Sequence, residues 1–322
     1  MRDRHSAKKV VFVGGTPFSG STAIHLMLAN DVKGFACGEL DKLFCPTSES
    51  HVRRLKDCPK EAYPIWRNVL RAGKERAYVA VFDELPDVEL IVDSSKNPFW
   101  IREQTRLLRN AGFEVRHLLI WKTPLEFASS WKKRRELTEW SEPWIGYHRI
   151  YATLLDDWVA VRYRDLATDP GNTLRAACGA VGVEYFEGKE EFWRKQHFHL
   201  GGNYAARVHL MSEDQAKAFD GLPGTMNKEG SYRKIYYQPV DDPQVVEEVS
   251  RQGSESKQIE RISGFLESRN VFGQLGKGLN HADIRMGTLE VALRRAWRFL
   301  ALTKARASYA SRIRAALESD VA

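Results

Sequence analysis

A three-layer α/β/α fold around a mostly parallel sheet, followed by a helical C-terminal extension, is what the sequence predicts. Three observations carry the expectation: four short apolar runs rich in β-branched residues, helical patterns between them, and tightly turning polar sequences where three of the runs end. The runs are Lys9–Gly14 (KVVFVG), Glu89–Asp93 (ELIVD), Val115–Trp121 (VRHLLIW) and Trp158–Tyr163 (WVAVRY). Continuous apolar runs of this length suit strands buried on both faces. Strands alternating with helices suit a parallel sheet joined by crossovers.

The first helix is expected near Ser21 and carries Ile24, Met27 and Leu28. A second runs from Pro98, a proline suited to a first turn, to Asn110-Ala111-Gly112, which reads as a C-cap. A third follows Pro124, and a fourth follows Asp169-Pro170 and ends near Gly179 or Gly182. The stretch from Phe35 to Val88 carries few strand signals and reads as helices and loops covering one side of the site. The character changes past Tyr237, which divides the chain into 1–240 and a helical extension, 241–322. In the extension, Asp241 to Ser268 reads as helix, Gly273 to Asn280 as a Gly/Asn-rich joint, and Gly287 to Leu317 as a basic amphipathic helix. Packing on its own domain is the simpler expectation for that helix. Peripheral contact with a membrane surface through 287–317 is the alternative.

The 322 residues, 43% hydrophobic and 28% charged, suit a soluble globular enzyme. No run approaches the roughly 20 apolar residues of a membrane span. The apolar stretch Val10–Val13 is too short for a leader, so a cytoplasmic location is expected. Cys37, Cys45, Cys58 and Cys178 do not form a disulfide pattern, and without a C-x-x-C pair no metal is expected. A net charge of +7 suits an anionic ligand. No zinc finger or RNP-type motif accompanies the charge, so nucleic acid is not an expected partner.

Ligands of such sheets sit at the carboxyl ends of the strands. Three of these ends converge in Gly14-Gly15-Thr16, Asp93-Ser94-Ser95-Lys96 and Trp121-Lys122-Thr123-Pro124. The loop Gly15-Thr16-Pro17-Phe18-Ser19-Gly20-Ser21-Thr22 has the spacing of a Walker A loop, which makes the fold P-loop-NTPase-like. Its backbone N–H groups, the following helix N-terminus, and the hydroxyls of Thr16, Ser19, Ser21 and Thr22 suit a phosphate. Ser21 stands where an NTPase has its lysine, which argues against phosphoryl transfer from a magnesium nucleotide. A second element, Lys122 at a strand end with Ser129-Ser130 on the next helix, can clamp a second anionic group.

These two loops together resemble those of the sulfotransferases that use 3′-phosphoadenosine 5′-phosphosulfate (PAPS) as donor. In that family the first loop holds the 5′-phosphosulfate, and Ser19, Gly20, Ser21 and Thr22 match it. The second holds the 3′-phosphate, and Lys122, Pro124 and Ser130 match it. The segment Val161 to Val183, the stretch Asp93–Lys96, and His199-Leu200-Gly201-Gly202-Asn203 with Arg207 also resemble bacterial members. The resemblance covers about Lys9 to Tyr237. It implies transfer of a sulfuryl group to a hydroxyl or amine, with PAPS as donor substrate and no metal. The resemblance leaves the acceptor open among small molecules, carbohydrates and lipids.

Two departures from the family pattern stand out. Phe18 occupies the position where relatives carry a basic residue beside the bridging oxygen of the phosphosulfate, and Lys122 replaces an arginine. Lysine keeps the charge and loses the bidentate fork. Lys96 is the residue expected to supply the charge that Phe18 does not. For the general base the candidates are Glu39, His199, His197, His25 and Asp41, with Glu39 resembling the Gly-Glu that follows the phosphate loop in bacterial relatives. Lys228 and Arg233 are candidates for a late basic loop closing over the 3′-phosphate. The competing readings are a catalytically impaired protein that binds the donor or its product, and a P-loop small-molecule kinase with Asp93 as its acid.

Overall fold

Successive side chains of strand β1 (Lys9–Gly14) face opposite ways, as a pleated strand requires, and each face feeds a separate core. Val10 and Phe12 enter one cluster; Val11 and Val13 enter the other. The chain is described here from a computed structural model over residues 8–56, 58–202, 208–211, 235, 237–251, 255–272, 284–300 and 303–318. Strands β2 (Gly34–Gly38), β3 (Leu90–Asp93), β4 (Glu114–Trp121) and β5 (Val159–Arg162) join β1 in a five-stranded parallel sheet of order β2-β3-β1-β4-β5. The chain leaves β1 to one side for β2 and β3, and later crosses to the other side for β4 and β5. This places the carboxyl end of β1 where the winding reverses, the position at which such sheets bind ligands.

One face of the sheet is covered by α1 (Ser21–Leu28) and α10 (Pro170–Val181), through Ile24, Leu26, Leu174 and Ala177. The other face packs α4 (Tyr63–Ala72), α5 (Ala77–Glu84), α6 (Pro98–Asn110) and α8 (Ser141–Leu154), through Trp66, Val81, Ile101 and Trp144. The short helices α2 (Asp41–Phe44), α3 (Glu49–Lys56), α7 (Pro124–Lys132) and α9 (Tyr163–Thr168) rim the carboxyl ends of the strands. The result is the expected three-layer P-loop-type arrangement of strand, glycine loop and helix.

Local chemistry sets the helix ends. The Asn97 side chain accepts from Phe99 N and opens α6 at Pro98. Thr123 and Glu126 form a capping box that opens α7. Asp169 caps α10, and Gly182, left-handed at φ 64°, ends it.

One strand was not expected. β2, Gly34-Phe35-Ala36-Cys37-Gly38, lies in the stretch read as helices and loops. It has five residues, glycine at both ends and no β-branched side chain, so its local propensity is silent. Pairing with β3, Phe35 to Ile91 and Ala36 to Val92, makes it a strand.

Beyond residue 240, the helix Pro243–Arg251 packs on α7 and the helix Ser256–Ser268 packs on α8. Val245, Ile259, Ile262 and Phe265 join the core shared by α4 to α8. Arg269 to Val271 then run beside β5, where Ala160 N donates to Arg269 O at 2.8 Å and Val271 N to Ala160 O at 2.9 Å. The expected basic helix consists of Thr288–Leu300 and Thr303–Glu318, with 301–302 outside the described residues. The second of these packs on α3 and α4 and buries Ile313 and Leu317, and Arg67 donates to Leu317 O at 2.9 and 2.6 Å. The first leaves Leu289 and Leu293 exposed. The expected joint at 273–280 lies outside the described residues. Among the described residues, no helix is long and apolar enough to cross a membrane.

Candidate active site

The loop Gly15–Thr22 leaves β1 and turns directly into α1. Ser19 N donates to Thr16 O at 3.2 Å, and Ala23 N to Gly20 O at 3.0 Å, which closes the first helical turn. Gly20 is left-handed at φ 96°, and a Cβ there would stand 2.4 Å from the Tyr163 ring. Only glycine meets both demands. Gly15 N donates to the Tyr147 hydroxyl at 2.8 Å, tying the loop to α8. Thr16, Ser19, Ser21 and Thr22 are all buried, and among the described residues Thr16 Oγ1 and Ser19 Oγ have no hydrogen-bond partner. Buried hydroxyls without a partner are costly. Beside the N-terminus of α1, these two are suited to an anion such as a phosphate.

Lys122 stands at the carboxyl end of β4. Its Nζ donates to Ser130 Oγ at 3.0 Å and lies 4.3 Å from the centre of the Tyr163 ring. The Ser130 hydroxyl donates in turn to Glu126 O at 3.0 Å, which fixes the pair on the first turns of α7. Burial lowers the Lys122 ammonium to about 8; Glu126 opposes the shift, and Lys133 and Arg134 add to it. At neutral pH it remains largely charged. Tyr163 touches both Gly20 and Lys122, so one ring joins the two loops. The structure brings the two expected phosphate elements together.

Glu39, Lys96 and His199 also converge. Lys96 Nζ lies 2.5 Å from Glu39 Oε1, and the Glu39 side chain is nearly buried. Asp93 arranges this meeting of β2 and β3: Ser95 N donates to its Oδ1 at 2.6 Å and Leu40 N to its Oδ2 at 3.3 Å. Burial pushes the Asp93 carboxyl up to about 7, against the hydrogen bonds from Ser95. The segment His199–Gly202 lies along β2, with Leu200 N donating to Cys37 O at 2.9 Å and Glu39 N to Leu200 O at 2.8 Å. Gly38 is left-handed at φ 78°, and a Cβ there would stand 2.0 Å from Leu200 O. A Cβ on Gly202 would meet Thr22 at 2.9 Å, so this segment reaches the phosphate loop.

The remaining base candidates, like Glu39, are buried or held by a partner. The His25 ring lies 5.7 Å from His199 and is fully buried; burial, aided by His197, pushes it down to about 3. His197 Nε2 donates to Phe192 O at 2.8 Å, and burial lowers it to about 4. Asp41 pairs with Lys42 at 2.8 Å. Lys228 and Arg233, with Asn203 and Arg207, lie outside the described residues.

Next to Glu39, a narrow cleft is lined by Lys42, Leu43, His51, Leu200, Gly201 and Ile313, with an enclosed volume of about 20 Å³, room for a water-sized group. Of these, Ile313 belongs to the helix Thr303–Glu318. Sequence reasoning had not connected that helix with the site. It also missed Arg134, whose guanidinium lies 4.3 Å over the Phe18 ring, and whose position one turn past Ser130 was the available signal. Among the described residues, no group of three His, Cys, Asp or Glu side chains could hold a metal ion.

Solved structures similar to this chain include sulfotransferases. The sulfotransferase domain from the curacin biosynthetic pathway is 14% identical, with 76% of this chain and 97% of that chain covered and a TM-score of 0.45. The sulfotransferase domain from the Synechococcus PCC 7002 olefin synthase is 16% identical, covering 76% and 94%, with a TM-score of 0.43. A sulfotransferase from Alicyclobacillus acidocaldarius is 14% identical, covering 80% and 94%, with a TM-score of 0.39. No family model and no curated protein matches the chain.

Proposed function

We propose that this protein is a sulfotransferase that takes PAPS as donor and transfers its sulfuryl group to a hydroxyl acceptor. One observation carries the reading: a phosphate loop without the Walker lysine lies one tyrosine ring away from a half-buried Lys122–Ser130 pair. Two anion seats so placed suit a nucleotide with a phosphate on each side of its ribose. The hydroxyls of Thr16 and Ser19 and the N-terminus of α1 would hold the 5′-phosphosulfate, and Lys122 with Ser130 the 3′-phosphate.

The acceptor hydroxyl enters through the cleft beside Glu39. Its oxygen attacks sulfur in line as the bond from sulfur to the 5′-phosphate oxygen breaks. The hydroxyl proton passes to the Glu39 carboxylate, and adenosine 3′,5′-bisphosphate leaves with the electron pair. Lys96 fixes Glu39 at the strand ends. The cleft, about 20 Å³, has room for the hydroxyl alone, with Leu43, Leu200 and Ile313 among its walls. Asp93 argues against a kinase, because its two oxygens are engaged by Ser95 N and Leu40 N rather than open to magnesium.

Calorimetric titration tests donor recognition. Micromolar binding of adenosine 3′,5′-bisphosphate, weakened on removal of the 3′-phosphate, supports the reading. Equal affinity for the bisphosphate and 5′-AMP, or preference for ATP with magnesium, overturns it.

A further inference from the structure

Cleavage of the sulfur–oxygen bond leaves negative charge on the 5′-phosphate, and a positive group facing that oxygen lowers the barrier. The loop Gly15–Thr22 contains no cation. Two nearby lysines are already engaged, Lys96 by Glu39 and Lys122 by Ser130. Arg134 is different. It follows the C-terminal end of α7, is exposed, and among the described residues forms no ion pair. Its contacts are the Phe18 ring, 4.3 Å from the guanidinium carbon, and Ser130 O at 3.4 Å from Nη1.

Phe18 is itself unusual. Among the described residues it is the one non-glycine residue with a left-handed backbone, at φ 67°. For a bulky side chain that conformation is strained, and such strain collects at functional sites. Here it seats an aromatic ring in the middle of the phosphate loop, where the ring face attracts a guanidinium. The loop thus holds a cation it does not encode.

The geometry points to Arg134 as the catalytic cation for the leaving 5′-phosphate, seated on the loop by the ring of Phe18. This inference rests on the sulfotransferase reading and adds to it a charge brought from another element. The bond that breaks runs from sulfur to the 5′-phosphate oxygen, and Arg134 donates to the oxygen that keeps the electrons. No proton is transferred at that oxygen.

Calorimetry with adenosine 3′,5′-bisphosphate, 5′-AMP and 3′-AMP tests it. Arg134→Ala weakens the bisphosphate and 5′-AMP by about tenfold, the loss of one charge-assisted contact, and leaves 3′-AMP within twofold. Phe18→Leu reproduces part of that loss alone and adds nothing in the Arg134→Ala background. Phe18→Lys in the same background restores binding by placing a cation on the loop itself. Sulfate release from PAPS to water falls about 100-fold in Arg134→Ala. Unchanged bisphosphate affinity in Arg134→Ala overturns the inference while the function stands, and so does a loss confined to 3′-AMP. If the wild-type protein fails to bind the bisphosphate, both fall.

Discussion

The ammonium of Lys96 stands 2.5 Å from Glu39 Oε1, across 57 positions of sequence. β2 and β3 are neighbours in the sheet, and Asp93 binds the backbone on both sides of the pair, at Leu40 and Ser95. The carboxylate is therefore held at the strand ends rather than left to sample rotamers, as a base must be to meet an incoming hydroxyl. Glu39→Gln is expected to lower sulfuryl transfer by about 100-fold or more, with bisphosphate affinity unchanged within twofold. Radiolabelled transfer from PAPS beside calorimetry reads both quantities. A matching loss of donor affinity would move Glu39 from the acceptor side to the donor side.

Lys122 is expected to give the proposed donor site a pH dependence. Burial lowers its ammonium to about 8, so the charged form dominates at pH 7 and is mostly lost by pH 9. A 3′-phosphate that needs this charge binds roughly tenfold more weakly at pH 9 than at pH 7. Lys122→Arg, charged throughout, is expected to abolish the dependence over that range. Titrations with the bisphosphate at both values check it, with 3′-AMP as the control that isolates the phosphate concerned.

Gly38 carries the seam between β2 and the segment His199–Gly202. A methyl group there would stand 2.0 Å from Leu200 O in a left-handed backbone, so Gly38→Ala has neither room nor a relaxed conformation. The expected cost is about 2 kcal/mol or more, read as a lower urea midpoint. Because Glu39 follows directly, transfer activity falls further than the folded fraction does.

Acid destabilises the fold through buried neutral histidines. His148 lies inside α8 with its Nδ1 donating to Trp144 O, and burial lowers it to about 4. Its folded-state value lies below the ordinary 6.5, so its contribution is present above pH 6.5 and lost as pH falls toward 4. Between pH 7 and pH 5 this one group accounts for about 2 kcal/mol. His148→Leu is expected to remove that share of the pH slope in urea unfolding.

Ile313 belongs to the helix Thr303–Glu318 yet lines the cleft beside Glu39. Ile313→Ala widens the apolar wall. The expected result is a changed KM and ranking among hydroxyl acceptors, with bisphosphate affinity unchanged. Equal effects on every acceptor would indicate loss of packing instead.

Much of the architecture was legible because the chemistry that forms it is local. Lys9–Gly14 and Val115–Trp121 are β-branched or apolar runs bounded by turns, and α6, α7 and α10 open at Pro98, Pro124 and Pro170, where caps and prolines stand together. The loop Gly15–Thr22 and Lys122 with Ser130 stood out for the same reason, as short motifs at strand ends. β2 was not, since Gly34–Gly38 becomes a strand only through pairing with β3. Without β2, Glu39 read as a residue trailing the first helix, and its contact with Lys96 had no visible cause. Ile313 beside Glu39 depends on how distant elements pack, which no spacing in the sequence encodes, and Arg134 over Phe18 was signalled only by its place one turn past Ser130.

Lys122 and Ser130 are expected to hold the 3′-phosphate of a donor whose 5′ end lies in the loop Gly15–Thr22. A double cycle tests it most directly: calorimetric affinities of adenosine 3′,5′-bisphosphate and 5′-AMP for the wild-type protein and Lys122→Ala. The wild type is expected to prefer the bisphosphate by at least about tenfold, and Lys122→Ala to erase the preference while leaving 5′-AMP unchanged. A preference that survives the substitution, or a wild type indifferent to the 3′-phosphate, would contradict it.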